Sequence, residues 1–242
     1  MLRRRLPSRF QNLPIYVTPE AGLRYWLGAS RVDLALQGMV EELVKPGSIV
    51  WDVGANIGLF SFCAAALAGT SGFVLSIEPD LWLAQLMMRS SRDLSSRRLA
   101  CSNVQVLCAS VSDSNRVSTL EIAERARASN HLLEASGSNQ AGSSRYLQPS
   151  LSVTLDFLLD YFPAPSVLKI DVETHEASVL RGAQRLLKEA RPVILCEVSH
   201  QNSDTVTQLL HAANYELYGA EIHPHPRIRR AWFQTLGIPS AN

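Results

Sequence analysis

Short apolar runs alternate with longer segments of helical periodicity along most of this chain. The short runs predict strands at residues 49–51, 73–77, 104–110, 166–172, 192–198 and 215–218. Between them, apolar residues recur every three or four positions, as in residues 179–190, which is typical of helices that pack on a sheet. The run at 192–198 is almost continuously apolar, as expected of a strand buried on both faces. This order predicts an α/β fold with a doubly wound, mostly parallel sheet.

The segments outside this alternation indicate the domain organisation. Residues 1–45 form an N-terminal extension, with a helix at 32–44, that caps the sheet or covers the site. Residues 46–222 form the α/β domain. Within it, residues 126–150 are rich in Ser, Asn and Gly and follow no sustained period, so we predict a mobile loop or lid near the substrate. Residues 223–242 are predicted to form a C-terminal tail.

The first strand runs into a loop of small residues that opens a helix. The loop has the spelling D-x-G-x-N-x-G, and its candidate site residues are Asp52, Gly54, Ala55, Asn56 and Gly58. Small residues at such a turn allow backbone N–H groups to approach a ligand closely. The next strand ends in Glu78, whose carboxylate can accept hydrogen bonds from both hydroxyls of a ribose. This stretch therefore predicts a nucleoside-cofactor site.

The spelling of the loop narrows the choice of cofactor. A dinucleotide fingerprint is G-x-G-x-x-G, and this loop lacks it. Asp52 stands two residues before the first glycine, where its charge repels a pyrophosphate. The same charge suits a cofactor with a cationic amino-acid end, such as the ammonium group of S-adenosylmethionine. We therefore favour S-adenosylmethionine, and a nicotinamide dehydrogenase is the alternative enzyme class.

Carboxylates recur where the predicted parallel strands end. These ends are Asp52, Glu78, Ser110, Asp171 and Glu197, so four of the five carry a carboxylate. In a doubly wound sheet, ligands bind outside the carboxyl ends of the strands. Buried carboxylates are costly unless they are paired, so their convergence indicates a site. The small residues around Ser110 leave room for an adenine, and Asp113 either accepts from its exocyclic amine or is a plain turn residue.

A second dense cluster, Lys169-Ile-Asp-Val-Glu-Thr-His-Glu176, follows the fourth strand and continues into Val179-Leu-Arg-Gly-Ala183. It resembles the K-I-D-V-E-G-x-E-x-x-V-L-x-G-A signature of FkbM-type S-adenosylmethionine-dependent methyltransferases. Further similarity to this family lies in residues 52–58, Glu78-Pro79, 111–113, Leu155-Asp156 and 192–197. The resemblance extends over residues 48–218, which is most of the chain.

The resemblance implies a Rossmann-like class I methyltransferase fold with a seven-stranded sheet, and methyl transfer to a hydroxyl oxygen. It also implies roles for individual positions: Asp52, Gly54, Asn56 and Gly58 at the methionine end of the cofactor, Glu78 at its ribose, Asp113 near adenine, and Asp171, Glu173 and Glu176 beside the methionine or the acceptor. Thr174 departs from the family, because it replaces the glycine after D-V-E. That glycine serves either a positive φ, where threonine is strained, or close approach of the substrate.

The predicted chemistry needs few groups, because a sulfonium methyl is already activated and mainly requires alignment. A hydroxyl is a poor nucleophile near neutral pH, so a general base helps. His175 is the first candidate, since histidine ordinarily titrates near neutrality. Asp171 is the second candidate, with an orienting role as the alternative. We predict no metal ion, because His223 and His225 stand between prolines without further ligands nearby in the sequence.

The sequence thus predicts an O-methyltransferase for a sugar or small-molecule hydroxyl, with N- or C-methylation and a non-catalytic cofactor-binding module as alternatives. The formal net charge of +1 gives no case for nucleic acid. The longest apolar stretch, residues 59–68, is too short to span a bilayer. The four cysteines include no C-x-x-C pair, and most lie in apolar runs, as buried free thiols do in proteins of a reducing compartment. We therefore expect a cytoplasmic protein. The pattern carries no signal for an oligomeric state.

Overall fold

The computed structural model describes residues 1–26, 33–96, 100–101, 103–123, 130–132 and 144–240. Its strands are β1 (Leu2–Arg5), β2 (Pro14–Val17), β3 (Ile49–Val53), β4 (Phe73–Ile77), β5 (Asn103–Leu107), β6 (Ser110–Val111), β7 (Arg116–Ala123), β8 (His131–Leu132), β9 (Ser144–Val153), β10 (Val167–Ile170), β11 (Val193–Glu197), β12 (Tyr215–Gly219), β13 (Arg227–Ile228) and β14 (Gln234–Pro239). Its helices are α1 (Pro19–Trp26), α2 (Leu34–Leu43), α3 (Leu59–Ala68), α4 (Leu81–Ser96), α5 (Leu155–Leu158), α6 (Glu176–Arg181), α7 (Gln184–Glu189) and α8 (Ser203–Ala212). In these residues, no helix is both long enough and apolar enough to cross a membrane.

The central sheet follows the order β13-β12-β14-β11-β10-β3-β4-β5 in the described chain. Its strands β5, β4, β3, β10 and β11 pair in parallel, whereas β14 runs antiparallel to both of its neighbours. The chain moves outward from β3 through β4 and β5, and later through β10 and β11 on the other side. A crevice opens at such a reversal, outside the strand carboxyl ends. The doubly wound, mostly parallel α/β fold is confirmed, and β13 adds a two-residue edge pairing to the seven strands expected.

Helices and N-terminal residues cover the two faces of this sheet. On one face, Phe10 and Ile15 are fully buried in the same apolar cluster as Phe62 of α3. On the other face, helices α6 to α8 contribute buried residues such as Leu186 and Leu210 to a second cluster. Burial of such side chains is the main favourable term in folding, at about 1.5–3 kcal/mol each. The N-terminal residues thus form a layer of the hydrophobic core.

The segment predicted as a C-terminal tail contributes a strand to the middle of the sheet. Strand β14 lies between β11 and β12, and Gly237 stands opposite both Ile194 and Leu217. A Cβ on Gly237 would lie 3.4 Å from the Tyr215 ring, which is ordinary van der Waals contact. Glycine and proline in a run of six residues resemble loop chemistry, which conceals this strand in the sequence. The segment from residue 223 is therefore not a tail outside the domain, because β13 and β14 are strands of its central sheet.

The third predicted strand also ends earlier than the sequence indicates. Strand β5 stops at Leu107, and Ser110 belongs to a second sheet with the order β6-β9-β7-β8. Strand β9 overlaps the end of the loop predicted at 126–150, so residues 144–150 are extended and paired with β7. Residues 124–129 and 133–143 lie outside the described residues. They include most of the predicted lid.

The polarity of β9 explains why its pattern does not indicate a strand. Ser150 and Ser152 face the interior, where Ser152 Oγ lies 2.7 Å from Ser110 Oγ and donates to Ser118 Oγ at 2.9 Å. Its leucines face outward, and Leu151 is 63% exposed. Buried hydroxyls are tolerated when they hydrogen-bond to one another. Since polar residues lie inside and apolar residues outside, the usual alternation is inverted in this strand.

Candidate active site

A cavity of about 240 Å³ lies at the carboxyl ends of β3, β4, β10 and β11. Its polar walls come from Asn56, Glu78, Ser110, Asn130, Asp171, Glu173, His175 and Glu197. Leu120 and Leu132 of the second sheet also line it, so the two sheets share this cavity. The cavity therefore brings together residues that are up to 144 positions apart in the sequence, from Val53 to Glu197.

Backbone geometry fixes the small-residue loop after β3. Gly54 has a φ of +76°, and a Cβ there would lie 1.8 Å from the Asp171 carbonyl oxygen. Gly58 has a φ of +84° and precedes α3, where a Cβ would lie 2.6 Å from the Phe62 ring. Glycine is the residue that tolerates both the positive φ and the close contact. Gly54 and Asn56 line the cavity, whereas Ala55 and Gly58 shape the loop without lining it.

Glu78 is held at the end of β4 by the loop itself. Its Oε2 atom accepts from the Asn56 backbone N–H at 2.8 Å, and its Oε1 atom accepts from the Asp80 N–H at 2.8 Å. Burial raises the pKa of Glu78 to about 8, although these two N–H donors act in the opposite direction. The carboxylate faces the cavity with acceptor capacity left over, because a carboxylate has about four lone-pair sites.

Asp52 lies behind the cavity wall as the counter-ion of a buried lysine. Its side chain is 0% exposed and accepts a hydrogen bond from Ser61 Oγ at 2.6 Å. Lys169 Nζ lies 3.4 Å from Asp52 Oδ1 and 3.0 Å from Asp171 Oδ2. Burial acts to lower the pKa of Lys169, but the two carboxylates raise it on balance, so this side chain is a cation. Asp52 does not line the cavity, and it holds Lys169 and, through it, Asp171.

The loop after β10 supplies Asp171, Glu173 and His175 to the cavity. The His175 Nε2 atom lies 2.9 Å from Ser112 Oγ, which fixes the ring against the second sheet. Glu176 points elsewhere, because its Oε2 atom accepts from Ser199 Oγ at 2.9 Å and from Asn202 Nδ2 at 2.6 Å. Glu176 therefore fastens this loop to the one after β11 and is not a cavity residue.

Two residues of the site had no predicted role. Lys169 stands inside the quoted motif, and only the parallel pairing of β10 with β3 places it beside Asp52. Glu197 was noted as a strand end, and the structure places it on the cavity wall. Burial, with the carboxylate of Asp171 nearby, raises the pKa of Glu197 to about 7. A titratable group tuned to neutrality in a cavity is a candidate for proton transfer.

The predicted adenine side is only partly found at the cavity. Ser110 lines it, and its hydroxyl belongs to the buried serine chain of β9. Asp113 is 40% exposed and pairs with Arg116 at 3.0 Å, so it does not line the cavity. This geometry matches the turn-residue interpretation of Asp113.

Thr174 adopts the left-handed conformation, with a φ of 61°. Its Oγ1 atom is buried and has no hydrogen-bond partner among the described residues. For a β-branched residue such a φ is strained, at about 1–3 kcal/mol. The family glycine is thus explained by backbone conformation at this position.

Replacing Thr174 with glycine is expected to stabilise the fold by about 1 kcal/mol, because strain relief exceeds the greater flexibility of the unfolded chain. Thr174→Ala keeps a Cβ in the same conformation and should gain clearly less. Urea unfolding at constant m-value would measure both variants. Equal gains from alanine and glycine would mean that the unpartnered hydroxyl, and not the φ, is the source of strain.

The fold and the cavity together define a class I methyltransferase domain that uses S-adenosylmethionine. The chain matches the family model for the methyltransferase FkbM domain over residues 52–217. It therefore belongs to the FkbM methyltransferase family. No curated protein sequence matches it.

Solved structures of methyltransferases from other organisms are similar to this chain. The FkbM methyltransferase of Methylobacillus flagellatus KT superposes with a TM-score of 0.53 at 15% identity, covering 95% of this chain and 56% of that one. This chain thus spans little more than half the length of that relative. The precorrin-6y C5,15-methyltransferase of Geobacter metallireducens GS-15 gives a TM-score of 0.49 at 13% identity, covering 88% of this chain and 90% of that one.

The residues of the cavity fit S-adenosylmethionine. Glu78 retains acceptor positions for ribose hydroxyls. The Asn56 Oδ1 atom is buried without a hydrogen-bond partner in the described part of the chain, so it can accept from a ligand. Asp171 and Glu173 give the opposite side a negative charge that suits the cationic methionine end.

Proposed function

We propose that this protein transfers the methyl group of S-adenosylmethionine to a hydroxyl oxygen of a sugar or another small-molecule acceptor. The supporting observation is the division of one cavity into two sides. Glu78 follows β4, and Glu197 is the last residue of β11. These strands are three positions apart in the sheet, which corresponds to about 14 Å at the usual strand spacing. Glu78 would hold the ribose, and the acceptor would lie toward Asp171, Glu173, His175 and Glu197.

S-adenosylmethionine supplies an activated methyl group, so the protein has to align the acceptor oxygen and remove its proton. His175 and Asp171 are the predicted candidates, and Glu197 joins them. The carboxylate of Asp171 is engaged by Lys169 Nζ at 3.0 Å, which suits an orienting role. His175 Nε2 is engaged by Ser112 Oγ. Glu197 combines a position on the cavity wall with a pKa of about 7, so we assign it the proton-accepting role, with His175 orienting the acceptor.

This assignment predicts the pH dependence of kcat/KM. Below its pKa of about 7, Glu197 is protonated and cannot accept a proton, so activity should rise as pH increases through 7. In Glu197→Gln, kcat should fall by roughly 10²–10⁴-fold, and that limb of the profile should disappear. Glu189→Gln, on an exposed part of α7, serves as the control. If the limb persists in Glu197→Gln but is lost in His175→Gln, histidine is the base.

The acceptor class is tested with tritium-labelled S-adenosylmethionine against sets of sugar, lipid and small-molecule hydroxyl acceptors. Matched amines and activated carbon acceptors test the alternatives of N- and C-methylation. Calorimetric titration with S-adenosylhomocysteine measures cofactor binding separately. Binding together with transfer to oxygen supports the proposal, and transfer confined to nitrogen or carbon contradicts it. Binding without transfer to any acceptor would favour the non-catalytic module.

A further inference from the structure

Two histidines and a glutamate form a cluster away from the cavity. Glu42 belongs to α2, and His223 and His225 lie in the loop between β12 and β13. Their candidate ligand atoms all lie within 4.8 Å of one another. None of the three lines the cavity described above. The sequence shows no further ligand near the H-x-H pair. The fold supplies Glu42, which lies 183 positions from His225 in the sequence.

Both ring nitrogens of His225 face oxygen atoms. Its Nδ1 atom lies 3.0 Å from the Gly219 carbonyl oxygen and 2.9 Å from that of Ile222, so Nδ1 carries a proton and donates it. Its Nε2 atom lies 3.0 Å from both carboxylate oxygens of Glu42. In a neutral ring this nitrogen would present a lone pair to an anion. Either a second proton or a metal ion must therefore lie between His225 and Glu42.

The position of His223 favours a metal ion over a proton. A proton shared by His225 and Glu42 needs no third group, yet the His223 ring centroid lies 5.5 Å from that of His225 and its ligand atom joins the cluster. The Nδ1–H of His225 donates to backbone carbonyls, which is the usual second contact of a metal-bound histidine. Two imidazoles and one carboxylate suit a first-row divalent ion, with water in the remaining position.

We propose that Glu42, His223 and His225 bind a divalent transition-metal ion such as Zn²⁺, and that this ion fastens α2 to the loop between β12 and β13. In tetrahedral coordination, two ligand atoms of one Zn²⁺ lie about 3.4 Å apart. The 4.8 Å spread must therefore shrink by about 1–2 Å, which the side chains of Glu42 and His223 can supply by rotamer changes because both are exposed. The ion stabilises the packing of the N-terminal layer, and methyl transfer does not require it.

The test is calorimetric titration of ZnCl₂ into the metal-free protein. His223→Ala should weaken Zn²⁺ binding at least tenfold, because it removes one of three protein ligands. His211→Ala, an exposed histidine of α8, is the matched control and should bind as the wild type does. Zn²⁺ should also raise the Tm of the wild type and of His211→Ala, since a ligand that binds the folded state stabilises it, but not of His223→Ala.

Glu42→Gln provides a second test that does not alter the loop, and it should weaken Zn²⁺ binding as His223→Ala does. Circular dichroism confirms that each variant is folded. Two results would overturn the proposal: wild-type protein that binds no Zn²⁺ at micromolar concentrations, or both variants binding it as tightly as the wild type. In either case the cluster is an imidazolium–carboxylate ion pair only. Neither readout depends on methyl transfer, so failure here leaves the proposed activity unaffected.

Discussion

Replacing Lys169 with methionine is expected to lower the free energy of unfolding by about 3–5 kcal/mol, the usual effect of removing one partner from a buried ion pair. Methionine nearly fills the space of the lysine stem but leaves Asp52, at 0% exposure, as an uncompensated buried charge. Ser61 Oγ alone then remains as its hydrogen-bond donor among the contacts described. Urea unfolding followed by circular dichroism measures the loss.

The matched controls separate charge from packing. Lys188→Met, on the exposed side of α7, should change the free energy of unfolding by about 0.5 kcal/mol or less. Adding Asp52→Asn to Lys169→Met removes the buried charge and should restore a large part of the lost stability. If Lys169→Met is no more destabilising than Lys188→Met, the ion pairs of Lys169 with Asp52 and Asp171 do not stabilise the carboxyl ends of β3 and β10.

The second large effect is expected at Glu78. Glu78→Gln should weaken binding of S-adenosylhomocysteine by about 10–100-fold, which corresponds to roughly 1.4–2.8 kcal/mol. The two carboxylate oxygens of Glu78 each accept a hydrogen bond from a backbone N–H group, of Asn56 and of Asp80. The glutamine side chain of the variant has only one oxygen. One N–H is therefore left unpaired, and above pH 8, where Glu78 is ionised, the ribose also loses a charged acceptor. Calorimetric titration measures the change, with Glu189→Gln as the control.

The pKa of Glu78 adds a pH signature to this prediction. The group is protonated below its pKa of about 8, and acceptance of two ribose hydroxyls favours the ionised form. Affinity for adenosine, which has no group that titrates near neutrality, should therefore rise with pH through 8 in the wild type. The affinity of Glu78→Gln should not change over the same range. A pH-independent affinity in the wild type would contradict the assignment of Glu78 to the ribose.

The local sequence was sufficient for several features of this molecule. The strand, small-residue loop and helix after Ile49 could be predicted, because turn chemistry and apolar periodicity are properties of neighbouring residues. Glu78, Asp171 and His175 were predicted to share a site, because strand ends in a parallel sheet meet at one edge. Thr174 could be identified as a departure from the family.

Other features depended on contacts between distant segments. The inverted polarity of β9 is explained by the hydrogen bonds of Ser152 to Ser110 and Ser118. Strand β14 forms because it pairs with β11 on one side and β12 on the other. Lys169 acquires its role from strand pairing with β3.

The amino-acid sequence by itself determined the α/β class, the cofactor loop and the family, because short-range patterns encode them. Only the tertiary structure decided that Asp52 faces a buried lysine, that Glu197 is tuned near neutrality, and that Glu42 meets His223 and His225. The physical reason is that burial, pKa and ion pairing are set by which distant groups share a low-dielectric interior.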